Sequence, residues 1–107
     1  VETKAYLERA EKLLSEKEQG GVVTCLATNP KCGVVIEGTG GLRKVRFALE
    51  GRGKIGGIRV VYFFYNETVP LFLLTVFAKN EKSNLSKKER NQLAKLTRVL
   101  KEQFKRG

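Results

Sequence analysis

The sequence predicts an α+β fold, in which a small curved antiparallel sheet packs against two N-terminal helices and a C-terminal helix follows. Three observations lead there. Apolar residues recur at helical spacing at both ends, in Tyr6, Leu7, Ala10, Leu13 and Leu14 and again in Leu93, Leu96, Leu100 and Phe104. The middle of the chain instead holds short segments rich in Val, Ile, Phe, Tyr and Leu, the composition of strands. Those segments are separated by stretches of hairpin or loop length, with no room for crossover helices.

Thr3 to Glu18 reads as the first helix, with Thr3 as its N-cap. Gly20-Gly21 is expected to interrupt it, because glycine in a helix interior costs about 1 kcal/mol relative to alanine. In Val22–Thr28 the residues Val22, Cys25 and Leu26 share a helical face. A short second helix ending before Asn29-Pro30 is expected, since a residue ahead of proline is pushed out of helical geometry. Gly33–Glu37 is a short extended stretch, and Gly-Thr-Gly-Gly turns the chain after it.

Leu42–Leu49 is the first long strand. Val45, Phe47 and Leu49 face one way, Lys44 and Arg46 the other, which leaves two cations about 7 Å apart along one face. Gly51–Gly57 is a loop. Ile58–Tyr65 and Leu71–Ala78 are strands joined by Asn66–Pro70, with Pro70 where a strand start tolerates it. Ile58–Tyr65 is the most apolar and is therefore placed at the centre of the meander. Lys79–Leu85 is a charged loop. Ser86-Lys87-Lys88-Glu89 is a capping box that opens the last helix.

At 107 residues the chain is long enough for one modest core, so residues 1–107 are read as a single domain. The net charge of +10 is uneven: residues 1–40 carry five Lys/Arg against six Glu, residues 41–107 sixteen against five. A basic half beside a near-neutral half suits a polyanion, most often nucleic acid, or an acidic protein. Cys25 and Cys32 are too few for a disulfide framework and are read as reduced, packed and cytoplasmic. There is no histidine, which leaves no Ser-His-Asp set and argues against zinc; no metal or cofactor is expected. No stretch approaches a membrane span, and no signal peptide is visible. The chain starts at Val1 and contains no methionine, so an initiator, with a few residues beside it, is expected upstream.

Residues 38–59 concentrate the chemistry. They hold seven of the eleven glycines and alternate apolar and basic side chains. Gly-Arg-Gly-Lys-Ile-Gly-Gly is only superficially a phosphate-cradling loop: it lacks the GxxxxGK[ST] spacing and opens no helix. What remains is a set of cations around the sheet, Lys44, Arg46, Lys54, Arg59, Lys79 and Lys82. Arginine can hold a non-bridging phosphate oxygen and stabilise charge on a phosphorane. Lysine crowded by other cations can carry a proton near neutral pH. An RNA 2′-hydroxyl can serve as nucleophile, so the protein need not supply one. A sheet face that binds an acidic protein and does no chemistry explains the same charges.

The string GVVIEGTGGLRKVRFALEGRGKIGGIRVVYFF, followed by LFLLTVFAKNEKSNLS, resembles the RelE/ParE superfamily of toxins from bacterial type II toxin–antitoxin pairs. It is most similar to the HigB branch, in its G-T-G-G-L-R-K, G-x-G-K-x-G-G-x-R and [FY]-x-K-N-E patterns. The resemblance implies a ribosome-dependent endoribonuclease that cuts mRNA in the ribosomal A site and inhibits translation. It further implies a cognate antitoxin, helix-turn-helix and HigA-like, with operator DNA bound only through the antitoxin complex. Carried over residue by residue, the catalytic set is Lys44, Arg46, Arg59 and Lys79, with Arg43, Arg52, Lys54 and Lys82 as RNA contacts. A strand ahead of the first helix is also implied, with Val1–Thr3 as its remnant. Asn80 stands where RelE-type members have an arginine, and Ile55 where the branch has a small or polar residue. Ile55 therefore keeps open an attenuated or inactive homologue that only pairs with antitoxin and operon. A ParE-like gyrase poison on the same fold is the remaining alternative, though that branch lacks the basic set.

Overall fold

The computed structural model describes residues 1–48, 57–79, 81 and 84–105. In chain order the elements are α1 (Lys4–Leu13), α2 (Glu16–Thr28), β1 (Val34–Val35), β2 (Leu42–Phe47), β3 (Ile58–Phe63), β4 (Phe72–Ala78) and α3 (Lys87–Lys105). The strands form one antiparallel sheet in the order β1-β2-β3-β4. The α+β class is as expected, and β3 is flanked by β2 and β4. Leu49 lies outside the described residues, while Phe64, Tyr65 and Leu71 fall just beyond the strand ends. The β3–β4 connection is fixed by the Asn66 side chain, whose Oδ1 accepts from the backbone of Thr68 at 2.9 Å and of Val69 at 3.0 Å.

The helical half departs from expectation at one point. Thr3 caps α1 through its hydroxyl, which accepts from Tyr6 N at 3.2 Å. The helix then ends at Leu13 instead of running to Glu18. Ser15 restarts it: its hydroxyl accepts from Glu18 N at 3.1 Å, and the Glu18 carboxylate accepts from Ser15 N at 2.8 Å. This is a second capping box, and it turns the chain at a corner filled by buried Leu14. Gly20 and Gly21 do not interrupt anything. They lie inside α2 on its exposed side, and α2 runs to Thr28 as one helix anchored by buried Val22 and Leu26. Cys25 is off that stripe, and both cysteines are free and exposed rather than packed.

The sheet is covered on both faces. Tyr6, Ala10, Leu14, Val22 and Leu26 pack on Ile58, Val60, Tyr62, Leu73 and Val76. On the other face Leu42, Val61, Phe63, Leu74 and Phe77 form a second core against Leu93 and Leu100, and the Phe104 ring lies 5.7 Å from that of Phe72. Strand β3 contributes to both, which is why it reads as a nearly continuous apolar run. A register shift serves the two cores at once. Val61 pairs with Thr75 but Tyr62 with Leu73, so Leu74 is the extra residue. The extra residue thereby puts Leu73 and Val76, three apart, into one core, and Leu74 and Phe77, also three apart, into the other.

Helix α3 is rotated from the expected stripe. Leu96 is 39% exposed and Thr97 is fully buried in its place. The spacing 93, 97, 100, 104 follows one helical face as well as 93, 96, 100, 104 does. Thr97 enters because its hydroxyl is satisfied by Leu93 O at 2.9 Å and its methyl reaches the Gly40 turn. Ahead of α1, Glu2 bridges Leu73 in parallel, Leu73 N donates to Val1 O at 2.8 Å and Thr3 N to Leu73 O at 3.1 Å. Val1–Thr3 thus runs along the open edge of β4, as a strand remnant would.

Tyr6 makes the α1 core imperfect. Its hydroxyl is buried without a partner among the described residues. Burial, helped by Glu2, pushes its pKa up to about 12 from 10. The unfolded chain therefore ionises first, so this stability is complete below about pH 10 and is lost as pH rises through about 12. Tyr6→Phe removes the orphaned hydroxyl and this sensitivity together. It is expected to stabilise the fold by about 1 kcal/mol at pH 7. Thermal melts between pH 10 and 12 should also decline less steeply than those of the parent.

Candidate functional site

The site is assembled by the register of β2 on β3. Arg46 stands directly opposite Arg59, and Lys44 opposite Val61. Alternation along β2 sends Leu42, Lys44 and Arg46 to the face that carries the α3 core, with Arg59 and Val61 beside them. On the far side of β3, Arg59 pairs with Phe77, and Lys79 N donates to Gly57 O at 3.2 Å. Lys44, Arg46 and Arg59 therefore share one face, and Lys79, exposed in the turn after β4, leaves the sheet at the end where Arg46 and Arg59 stand. Helix α3 lies over the Leu42 end, and Arg46 remains exposed.

This arrangement costs stability. Like charges directly opposite across an antiparallel pair destabilise it by about 0.2–1 kcal/mol. Among the described residues no carboxylate pairs with Lys44, Arg46 or Arg59; the ion pair found there is Arg9–Glu81. Arg59 is half-buried, and its Nη1 is shielded from solvent with no hydrogen-bond partner among the described residues. A buried guanidinium nitrogen with nothing to donate to is a standing penalty. An anion placed between Arg46 and Arg59 would remove both costs, and a phosphate oxygen is well matched to the arginine fork.

Two neighbours fix the lysines. The Lys44 ammonium donates to Asn84 Oδ1 at 2.6 Å. Around that contact Ile36, Lys44, Asn84, Leu85 and Arg90 enclose a cavity of about 270 Å³. Lys79 is held through the backbone. The Glu81 carboxylate accepts from Ala78 N at 3.0 Å and from Arg9 Nη2 at 2.5 Å, and Arg9 Nε donates to Val76 O at 3.3 Å. Helix α1 thus clamps the end of β4 from which Lys79 leaves. The ion pair is more than a third exposed, so screening leaves it little weight of its own. Glu81→Ala is expected to cost about 1 kcal/mol, mainly through the lost acceptor for Ala78 N. The urea midpoint measures this, and any activity that depends on Lys79 should fall further than stability does.

Arg43 does not join the others. It lies on the opposite face beside Tyr62, where its Nη1 donates to Gly33 O at 2.8 Å and Lys31 O at 3.3 Å. The Tyr62 hydroxyl accepts from Gly33 N at 2.9 Å and donates to Pro30 O at 2.8 Å; burial is the main cause pushing its pKa up to about 12. Arg43 and Tyr62 together hold the 30–33 turn. The expected contacts Arg52, Lys54 and Lys82, and the departures Ile55 and Asn80, lie outside the described residues. Asn84, Glu81 and Arg90 were not singled out from sequence. Glu81 had a signal in the Lys-Asn-Glu triplet; Asn84 had none.

A larger cavity, about 510 Å³, lies elsewhere, between α2, Phe64 and the start of β4. Among the described residues its charged side chains are Glu2 and Glu67, the wrong sign for a phosphate, and none of the four cations lines it. Among the described residues no three His, Cys, Asp or Glu are placed to hold a metal, and no helix is long and apolar enough to cross a membrane.

Among the described residues, then, the chain is a small α+β domain whose sheet carries a row of cations that no carboxylate pairs with. Residues 33–106 match the family model of the RelE toxin of the RelE / RelB toxin-antitoxin system, and the chain belongs to that family. Such toxins generally inhibit translation and are generally ribonucleases, and an antitoxin is the partner the family implies.

Proposed function

We propose that this chain is a HigB-like, ribosome-dependent mRNA endoribonuclease that cuts message in the ribosomal A site. The observation that carries the reading is Arg59, with its Nη1 buried and without a partner among the described residues, directly opposite Arg46. Arg59 holds the scissile phosphate and Arg46 stabilises the charge that grows on it. The RNA 2′-oxygen forms a bond to phosphorus as the bond from phosphorus to the 5′-oxygen breaks. Lys44 or Lys79 takes the 2′-hydroxyl proton, and a proton is returned to the leaving 5′-oxygen. The products are a 2′,3′-cyclic phosphate, which water then opens to a 3′-phosphate, and a 5′-hydroxyl. The RNA supplies its own nucleophile, so the scheme uses no cofactor.

Arg52, Lys54 and Lys82 contact message or ribosomal RNA on this reading. The ribosome aligns the substrate, so the toxin needs no long RNA groove of its own. Residues 1–107 act as one toxin domain in the cytoplasm. A helix-turn-helix, HigA-like antitoxin neutralises it, and operator DNA is met only through that complex.

The test is cell-free translation of a defined mRNA, with new 5′ ends mapped in the presence and absence of ribosomes. Cuts confined to translated message, and lost in Lys79→Ala, support the reading. Cutting of naked RNA that Lys79→Ala does not diminish would refute the assigned site. Growth arrest with gyrase-dependent DNA breaks and intact message would favour a gyrase poison.

A further inference from the structure

We propose that Arg9 is a positioning residue for the cleavage reaction, acting from the opposite face of the sheet by fixing the backbone that carries Lys79. The inference rests on the nuclease reading and deepens it, because it names a residue that the reaction needs and that does not touch RNA. Arg9 lies on α1, and α1 packs on the face of the sheet away from Lys44, Arg46 and Arg59. Its guanidinium reaches the open edge of β4, the last strand of the sheet.

The contacts form a short chain that ends on Lys79. Arg9 Nε donates to Val76 O at 3.3 Å, and Arg9 Nη2 donates to Glu81 Oε1 at 2.5 Å. The same carboxylate oxygen accepts from Ala78 N at 3.0 Å, and Glu81 N donates to Ala78 O at 3.0 Å. Side chain and backbone of Glu81 thus close on one residue, and Lys79 stands in the turn they close. Backbone groups alternate in direction along an edge strand. Val76 O and Ala78 N therefore face outward, while Lys79 N faces inward and meets Gly57 O at 3.2 Å. Lys79 is gripped through its backbone from both sides. Its side chain has no comparable hold: Lys79 is exposed, and among the described residues its ammonium makes no hydrogen bond or ion pair. Where that ammonium stands is set by how the chain leaves β4. A displacement of about 1 Å, caused far from the reacting atoms, can slow a reaction roughly a hundredfold. The Arg9–Glu81 pair is more than a third exposed, so it adds little to stability. Its effect on position and its effect on folding are therefore separable.

The experiment compares Arg9→Met with Thr3→Ala in single-turnover cleavage of translated message, across a range of ribosome concentrations. Methionine keeps the apolar stem and removes the donors. Arg9→Met is expected to slow cleavage at saturating ribosomes by roughly tenfold to a hundredfold. It should half-saturate at the parent's ribosome concentration and melt no more than about 4 °C below the parent. Amide exchange in the free protein should be several-fold faster at Ala78 and Lys79, with the centre of β3 unchanged. Thr3→Ala is the control, because it removes the hydroxyl that caps α1 and bonds Leu73 O, at the other end of β4. It should melt about 4–8 °C lower and still cut at the parent's rate. Cleavage by Arg9→Met at the parent's rate would overturn the proposal and leave the nuclease standing. So would an equal slowing in Thr3→Ala, which would reduce the effect of Arg9 to the stability of α1. A parent that cuts no message would overturn the nuclease reading, and this role with it.

Discussion

Arg59→Ala is expected to lower cleavage of translated message by roughly a hundred- to a thousandfold while the protein melts no lower than its parent. The two halves have one cause. Arg59 sits opposite another arginine, and one of its nitrogens is buried without a partner among the described residues. Alanine removes a cross-strand repulsion of about 0.2–1 kcal/mol and an unsatisfied donor. Against that it loses the packing of the arginine stem on the sheet. The net change in stability is close to zero or favourable, whereas the loss in the transition state is large. Arg59→Lys keeps the charge but not the two-pronged geometry, and should recover only a minor part of the rate. Thermal melting together with mapped 5′ ends checks both halves. A variant that melts well below its parent would show that Arg59 is held for packing, and the case for a phosphate at this position would fail.

The same residues show what could be read from the chain and what could not. Period-two alternation in Leu42–Phe47 separates Lys44 and Arg46 from Val45 and Phe47, and the structure keeps that division. That Arg46 meets Arg59 was not legible in either strand alone. It follows from the register of β2 on β3, which the apolar pattern of neither strand fixes. The helix break falls at Ser15 and Glu18, and not at Gly20-Gly21. A capping box supplies hydrogen bonds that start a helix, whereas exposed glycines only lower its propensity. The α3 stripe was misassigned by one residue for a related reason: a threonine that bonds its own helix backbone can enter a core that hydrophobicity alone would give to leucine. Asn84 was invisible because its role comes from tertiary contact between the α3 approach and β2.

Gly57→Ala is expected to destabilise the protein by about 3 kcal/mol or more, a fall in Tm of roughly 10–20 °C, and to abolish activity with it. Gly57 has φ +80°, and a Cβ placed there would lie 2.3 Å from Phe47 O and 3.3 Å from the Ala48 Cα. The obstacle is backbone at the end of β2, so relief requires the strands to part. They would part where Phe47 pairs with Ile58 and Arg46 with Arg59, and where Gly57 O holds Lys79 N. Gly21→Ala is the control, because it makes the same chemical change in an exposed helical position where a Cβ meets nothing within 4 Å. It should stabilise α2 by up to about 1 kcal/mol. Opposite signs at Gly57 and Gly21, read from urea midpoints, would show that the first glycine is required by the geometry joining Arg46, Arg59 and Lys79. Equal small effects would mean that β2 and β3 can shift past each other without loss, and the register could not then be what brings the cations together.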